Sequence, residues 1–428
     1  MNYEEAMEYL RSLWYGVGIR YDLTRIKRLL EMLNNPHKNL QFVHIAGTNG
    51  KGSTTSYISN ILMEAGYKTG VFTSPHIKRF NERIKINHTE ILDEDIARFI
   101  TIIREKVDVL VAEGFPLPTE FELLTVMAFM YYNEQNCDIV VLEVGIGGLT
   151  DSTNAIDDEN SLVSVICTIG FDHMQYLGTT LPEIAAHKGG IIKENGSVVV
   201  YPQEDVVMSV FENIAKEKNA TMHKLNTGLI EVITDDITHQ EFNFEDYSGL
   251  RIKLLGEHQV KNAALAIKAI NILKEKGFKI TIAHIKSGLL STRWPGRFEI
   301  VNEKPYVVID GAHNEEAALI LAENMKKYFE GKKITFIVGV VSDKDYQKVF
   351  SPFFEMAHRF FVVSPNVGRA VSVKELSEYI SQHHNYVESF NSTEEALEFA
   401  LDTTLEDEVI CSFGSLYYVG NVRNFFGL

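Results

Sequence analysis

The segment Gly47-Thr48-Asn49-Gly50-Lys51-Gly52-Ser53 packs three glycines, a lysine and a hydroxyl into one short stretch. In a turn between a strand and a helix, such glycines let backbone N–H groups converge on phosphate oxygens, and the helix N-terminus adds partial positive charge. Lys51 is spaced to reach β- and γ-phosphates, and Ser53 to support the phosphates or their metal. The pattern departs from G-x-x-x-x-G-K-[ST], because the gap between glycines is shorter and Gly52 intervenes before Ser53. An ordinary glycine turn is the plain alternative, and the flanking strand and helix patterns favour the phosphate reading.

Further candidates follow other apolar runs. Ile139-Val140-Val141-Leu142 ends in Glu143, a carboxylate where a parallel sheet presents ligands, and a hard oxygen donor suits magnesium. Gly145-Ile146-Gly147-Gly148, with Asp151 and Asn154 after it, leaves that same edge as a loop free to approach a substrate or simply to turn. Phe171-Asp172-His173 follows the run Leu162 to Thr168, which puts His173 at the same edge. Ser74-Pro75-His76, with Arg79, Asn81, Glu82 and Arg83, offers basic groups for a carboxylate, or a solvated loop. Lys188, before the pair Gly189-Gly190, reads on its own as a surface lysine. Asp310-Gly311-Ala312-His313-Asn314 lies between a strand and a helix, with Asn314 placed as a cap and Asp310 and His313 placed for a ligand.

The elements that must position these groups alternate. Gln41 to Ala46, Lys68 to Phe72, Ile139 to Val144, Leu162 to Thr168 and Ser197 to Val200 read as strands. Ser53 to Ala65, Asp93 to Glu113, Glu120 to Asn133 and Leu181 to Glu194 read as helices between them, which implies a parallel sheet covered on its faces. Met222 to Leu255 reads as an antiparallel extension, followed by a helix from Glu257 to Lys276. Thr292-Arg293-Trp294-Pro295-Gly296-Arg297 interrupts the helical pattern as a hinge. Beyond it, strands at Tyr306 to Asp310, Lys333 to Val340, Arg359 to Val363 and Asp407 to Ser412 alternate with helices at Glu315 to Tyr328, Asp343 to Phe354, Ser372 to His383 and Thr393 to Thr404. The expected domains are 1–296 and 297–428.

Bulk properties narrow the class. A length of 428 residues suits two domains, and 45% hydrophobic with 23% charged residues argues against long disordered or fibrous segments. A formal charge of -17 without a basic patch disfavours nucleic acid and anionic membranes as partners. Cys137, Cys167 and Cys411 form no C-x-x-C pair, so neither a zinc cluster nor a disulfide framework is expected. The acidic N-terminus and the lack of a bilayer-length apolar run point to a cytoplasmic protein, expected to work as a monomer.

Taken in order, these motifs resemble the folylpolyglutamate synthase and dihydrofolate synthase family, within the Mur-type amino-acid ligases. The resemblance runs through Gly47 to Ser53, Thr73-Ser74-Pro75-His76, Phe80-Asn81-Glu82-Arg83, Glu143 and its glycine loop, and His173. It continues through Lys188 to Lys193, Gly256-Glu257-His258-Gln259 with Asn262-Ala263, Asp310 to Asn314 and Gly414-Ser415-Leu416-Tyr417. It implies an α/β fold: an N-terminal P-loop domain of the Mur central type with a small antiparallel extension, and a smaller Rossmann-like C-terminal domain. It implies that Thr48, Asn49, Gly50, Lys51, Gly52 and Ser53, with Asn262, Arg297 and Asp310, contact ATP. Ser74, Glu143 and His173 would hold magnesium, with Lys188, as a carbamate, holding a second ion. His313 and Ser415 would bind glutamate, and Arg83 and Phe121 would lie by the folate. Leu149-Thr150 stands where dual-function members commonly carry Arg-Leu, and His187 where many carry glutamate, so a reduced folate is expected ahead of dihydropteroate.

The implied reaction is attack of the folate carboxylate on the γ-phosphate of ATP, then displacement of phosphate by the amine of L-glutamate. Lys51, Lys188, His173, Asp310 and His313 would carry catalysis, and closure about Trp294 to Arg297 would keep water out. The rivals are a Mur-type ligase acting on a cell-wall precursor and a P-loop ATPase switch that joins nothing.

Overall fold

The computed structural model describes residues 1–13, 22–342, 344–365 and 370–428. The large sheet is built from β1 (Phe42–Ala46), β2 (Thr69–Phe72), β3 (Ile84–Ile86), β4 (Thr89–Glu90), β5 (Ile139–Glu143), β6 (Ser161–Ile166), β7 (Ser197–Val200) and β8 (Thr221–Lys224). Its strand order is β4-β3-β2-β5-β1-β6-β7-β8. From β2 to β8 all neighbours are parallel, and β3 and β4 add an antiparallel hairpin at one edge. β1 is central: the chain leaves it toward β2 on one side, returns through β5, and continues to β6 on the other. Ligands of open parallel sheets bind at such a reversal, outside the carboxyl ends of the strands.

Each central strand is buried along its full length, which is why β1 and β5 read as continuous apolar runs. On one face the helices Tyr3–Ser12, Thr24–Met32, Asp93–Ala112 and Glu120–Glu134 pack a core around Phe42, Phe72, Val140 and Leu142. Ala46, Ile166 and Val198 instead meet Ile184, Ile191 and Phe211. The helix Lys51–Glu64 is buried from Ser53 to Leu62, and so lacks the polar face of a surface helix. Helix Ile282–Ser291 crosses it so closely that a Cβ on Gly288 would lie 2.5 Å from Ile61 Cα.

A second, three-stranded sheet of order β11-β10-β9 follows, formed by β9 (Ile230–Asp235), β10 (Gln240–Phe244) and β11 (Tyr247–Ile252). Glu245 and Asp246 alone join β10 to β11, with Glu245 at φ 49°, and so short a link joins only antiparallel strands. The antiparallel extension expected from Met222 begins later than that, because Met222 belongs to β8, parallel to β7 in the large sheet. The helix expected over Leu181 to Glu194 is also shorter and ends at Gly189.

The last sheet comprises β12 (Glu299–Glu303), β13 (Tyr306–Ile309), β14 (Ile334–Val338), β15 (Ala357–Val362), β16 (Val387–Ser389) and β17 (Val409–Phe413), in the order β12-β13-β17-β14-β15-β16. Only β12 runs antiparallel to its neighbour. Phe336, Phe350, Phe353, Phe360 and Phe413 fill its core. The helix expected from Asp343 is Tyr346–Phe350 with a 3-10 turn after it, and Asp343 itself lies outside the described residues.

The chain divides into two units. One comprises Met1–Glu231, Phe242–Arg251 and Val260–Thr292, and the other Val232–Glu241, Ile252–Gln259 and Arg293–Leu428. The α/β class and the separate C-terminal sheet agree with the sequence reading. Among the described residues, no helix is long and apolar enough to cross a membrane. Cys137, Cys167 and Cys411 are free and buried.

Candidate active site

The glycine turn leaves β1 and enters helix Lys51–Glu64, with Gly50 as the helix cap at φ 84°. A side chain at Gly50 would be strained in that conformation, and its Cβ would also lie 2.8 Å from Asn262 Oδ1. Asn262, buried in helix Glu257–Glu275, therefore sits against the turn. The Thr48 N–H donates to the Thr168 carbonyl at 2.6 Å, and the Gly170 N–H donates to Thr48 Oγ1 at 3.0 Å. The turn is thus sewn to the segment after β6 that leads to His173.

Two lysines converge on one carbonyl oxygen. Lys51 Nζ donates to Gly47 O at 3.1 Å and Thr48 O at 3.1 Å. Lys188 Nζ reaches the same Gly47 oxygen at 2.8 Å. Lys188 is 4% exposed, so its reading as a surface lysine is overturned. Burial, with Lys51 adding to it, pushes its ammonium down to about 7. Two ammonium groups on one carbonyl repel each other, and an anion bound beside them relieves that cost.

The glycines around Lys188 serve close packing. A Cβ on Gly148 would lie 2.8 Å from the His187 carbonyl, and one on Gly189 2.6 Å from Ile214 Cδ1. The Leu149 N–H donates to His187 O at 2.7 Å, and Asn154 Nδ2 donates to Leu149 O and Gly190 O, each at 3.1 Å. Asp151 anchors the loop by accepting from the Ile146 N–H at 2.9 Å and the Thr153 N–H at 2.9 Å. Burial pushes the Asp151 carboxyl up against those hydrogen bonds.

Glu143 is 3% exposed and pairs with Ile45 across the β1–β5 ladder, two residues before Gly47. Ser74 emerges from β2 on the other side of β5, where Phe72 pairs with Leu142. His173 caps the short helix Met174–Leu177 at φ 50°, with its Nε2 3.9 Å from Asp172 Oδ2. Among the described residues no group of three or more His, Cys, Asp and Glu is arranged to hold a metal. Magnesium does not need one, since it takes one or two carboxylates and completes its shell with phosphate and water oxygens. A buried carboxylate one strand from the glycine turn, with a hydroxyl beyond it, fits that ion.

Arg83 and Phe121 lie near each other's segments. Arg83 Nε donates to His76 Nδ1 at 2.8 Å, and Nη1 stands 3.5 Å from Glu120 Oε1. Burial, with Arg83 adding to it, pushes the His76 imidazole down to about 4, and burial pushes the Glu120 carboxyl up. Phe121 packs edge-on to Phe72 at 5.8 Å, and a Cβ on Gly145 would lie 2.5 Å from its ring. The sequence reading gave no role to Glu120 and none of its own to His76. Adjacency to Phe121 and Ser74 was the only signal available.

In the second unit Asp310 follows β13, and its own oxygens hold backbone: Oδ2 accepts from the Phe298 N–H at 2.7 Å and Oδ1 from the Ala312 N–H at 2.7 Å. Burial pushes this carboxyl up, with Arg297 opposing. Arg297 Nη1 donates to Gly296 O at 3.0 Å and occupies the place a Gly311 side chain would need. His313 Nδ1 lies 2.7 Å from Gly311 O. Ser415, 2% exposed, caps helix Leu416–Phe425 by accepting from the Tyr417 N–H at 3.2 Å. The parallel pair Ile309–Ser412 brings Asp310 and Ser415 to one sheet edge. The candidates therefore form two groups, one in each unit.

Known proteins share this chain's sequence families and fold. The family model for the Mur ligase middle domain matches residues 45–270, and that for the Mur ligase glutamate ligase domain matches 296–416. The dihydrofolate synthase/folylpolyglutamate synthase of Bacillus subtilis is 36% identical over 428 residues, 98% of each chain. A folylpolyglutamate synthase from Thermotoga maritima superposes with a TM-score of 0.87 at 32% identity, covering 99% of this chain and 97% of that one. FolC from Escherichia coli, solved in complex with DHPP and ADP, gives 0.86 at 27% identity over 100% of this chain and 98% of its own. The chain belongs to the folylpolyglutamate synthase and dihydrofolate synthase family of Mur-type, ATP-dependent ligases.

Proposed function

We propose that this chain joins L-glutamate to the terminal carboxylate of a reduced folate, consuming ATP through an acyl phosphate. The observation that carries the reading is the convergence of Lys51 and Lys188 on the Gly47 carbonyl, in a glycine turn at the reversal point of a parallel sheet. The family and the relative solved with ADP support the nucleotide.

In this reading the backbone of Thr48 to Ser53 and the Lys51 ammonium take the phosphates, with Asn262 behind the turn. Arg83 and Phe121 take the folate carboxylate and ring. The carboxylate oxygen attacks the γ-phosphorus and ADP leaves. The glutamate nitrogen then adds to the acyl carbon, loses its proton, and expels phosphate. His313 and Ser415 bind glutamate, and Arg297 and Asp310 belong to the nucleotide contacts. Ser74, Glu143 and His173 would hold magnesium, which when bound neutralises phosphate charge. A lysine pushed down to about 7 is about half amine near neutrality. Such an amine adds carbon dioxide and releases a proton, which turns Lys188 into an anionic oxygen donor suited to a second ion. The proposed domains are 1–296 and 297–428, and the chain works as a cytoplasmic monomer.

The test is omission. Purified protein with ATP and magnesium is offered a tetrahydrofolate, dihydropteroate or a cell-wall precursor, with and without glutamate, and ADP release and product mass are measured. The expected result is sustained ADP release only with both folate and glutamate, and a product heavier by one glutamyl residue. ADP release indifferent to both would overturn it.

A further inference from the structure

Arg83 and His76 stand at the two ends of one loop, and the structure locks that loop. The Glu82 carboxylate accepts from the Ile77 N–H at 2.8 Å and from the Lys78 and Arg79 N–H groups, each at 2.7 Å. The Thr73 N–H donates to Arg83 O at 3.1 Å, closing the loop where β3 begins. Inside it, the Phe80 ring lies 6.1 Å from the His76 ring and 5.3 Å from the Arg83 guanidinium carbon. The side chains of Arg83 and Glu120 are 12% and 14% exposed.

Arginine nitrogens only donate, so the 2.8 Å contact from Nε requires a lone pair on His76 Nδ1 and places the ring proton on Nε2. A guanidinium recognises a carboxylate through two parallel N–H groups, which works only when the plane of the fork is set. With Nε committed to His76 and the ring of Phe80 beneath, the fork cannot turn about its long axis without losing a hydrogen bond.

We propose that His76 is a positioning residue, which fixes the guanidinium plane of Arg83 so that its Nη edge meets the carboxylate of the acceptor. The inference rests on the acceptor role proposed for Arg83. It assigns His76 to acceptor binding and leaves nucleotide affinity independent of it.

The test uses the full chain and a tetrahydrofolate as acceptor. His76→Phe keeps an aromatic ring and removes the acceptor nitrogen, whereas His76→Asn keeps an oxygen at the position of Nδ1. Expected are a KM for the acceptor raised about tenfold in His76→Phe, an unchanged KM for ATP, and recovery to within about twofold in His76→Asn. Arg83→Ala is run in parallel and raises the acceptor KM further. If Arg83→Ala raises it and His76→Phe does not, the inference on His76 fails and the acceptor role of Arg83 stands. If Arg83→Ala leaves it unchanged, both fail. Equal losses in His76→Phe and His76→Asn, with ATP affinity lost as well, would show mere structural damage and also overturn the inference.

Discussion

Both units present their candidate residues at the carboxyl edge of a mainly parallel sheet, yet they use charge in opposite ways. At the edge of the large sheet, Lys51 and Lys188 crowd one carbonyl oxygen, and burial with that crowding pushes Lys188 down toward the amine that carbamylation would need. At the edge of the C-terminal sheet, Asp310 spends both oxygens on the N–H groups of Phe298 and Ala312. On the proposed reading the first edge reserves its lysines for phosphate and metal, whereas Asp310 at the second serves the nucleotide and also ties down its own loops. A residue at a strand end is therefore marked as interesting by topology, and its hydrogen bonds show what it holds within the protein besides any ligand.

That contrast breaks most readily at Lys51. Lys51→Met should lower kcat by about 10²- to 10³-fold, the usual cost of removing one charged donor from a developing anion, while leaving the melting temperature nearly unchanged. Steady-state ADP release together with thermal unfolding checks it. A normal kcat would place Lys51 outside the phosphate site.

Asp310→Asn sharpens the other side. The amide turns an N–H donor toward one of the two backbone N–H groups, so one hydrogen bond is lost and a buried donor is left facing another. The expected cost is about 1–3 kcal/mol of stability, read by denaturant unfolding, alongside loss of activity. Lost activity with unchanged stability would mean that Asp310 serves the ligand and not the loops.

Much of this was legible from residue order. β7 and helix Glu315–Tyr328 fall where the patterns place them, and Asn314 caps that helix by accepting from the Ala317 N–H at 2.9 Å. Local chemistry decides such features. The burial of Lys188 was not legible, because its partner Gly47 lies 141 residues away and the Gly189-Gly190 pair imitates a frayed surface helix end. Those glycines are small because Ile214 and Leu149 press on them. β12 and the β3–β4 hairpin were missed for another reason: β12 is only partly buried along its length, and β3 and β4 are three and two residues long, so neither makes an apolar run. Glu120 carried no signal beyond its place beside Phe121, because its partner Arg83, 3.5 Å away, is brought to it only by the fold.

The central claim is that the acceptor carboxylate is phosphorylated before the amide forms. A tetrahydrofolate carrying a heavy oxygen isotope in its terminal carboxylate, incubated with ATP, magnesium and glutamate, tests it directly by mass spectrometry of the released phosphate. The account predicts one labelled oxygen in each phosphate, carried from the carboxylate through the acyl phosphate. Unlabelled phosphate formed alongside the glutamylated product would contradict it.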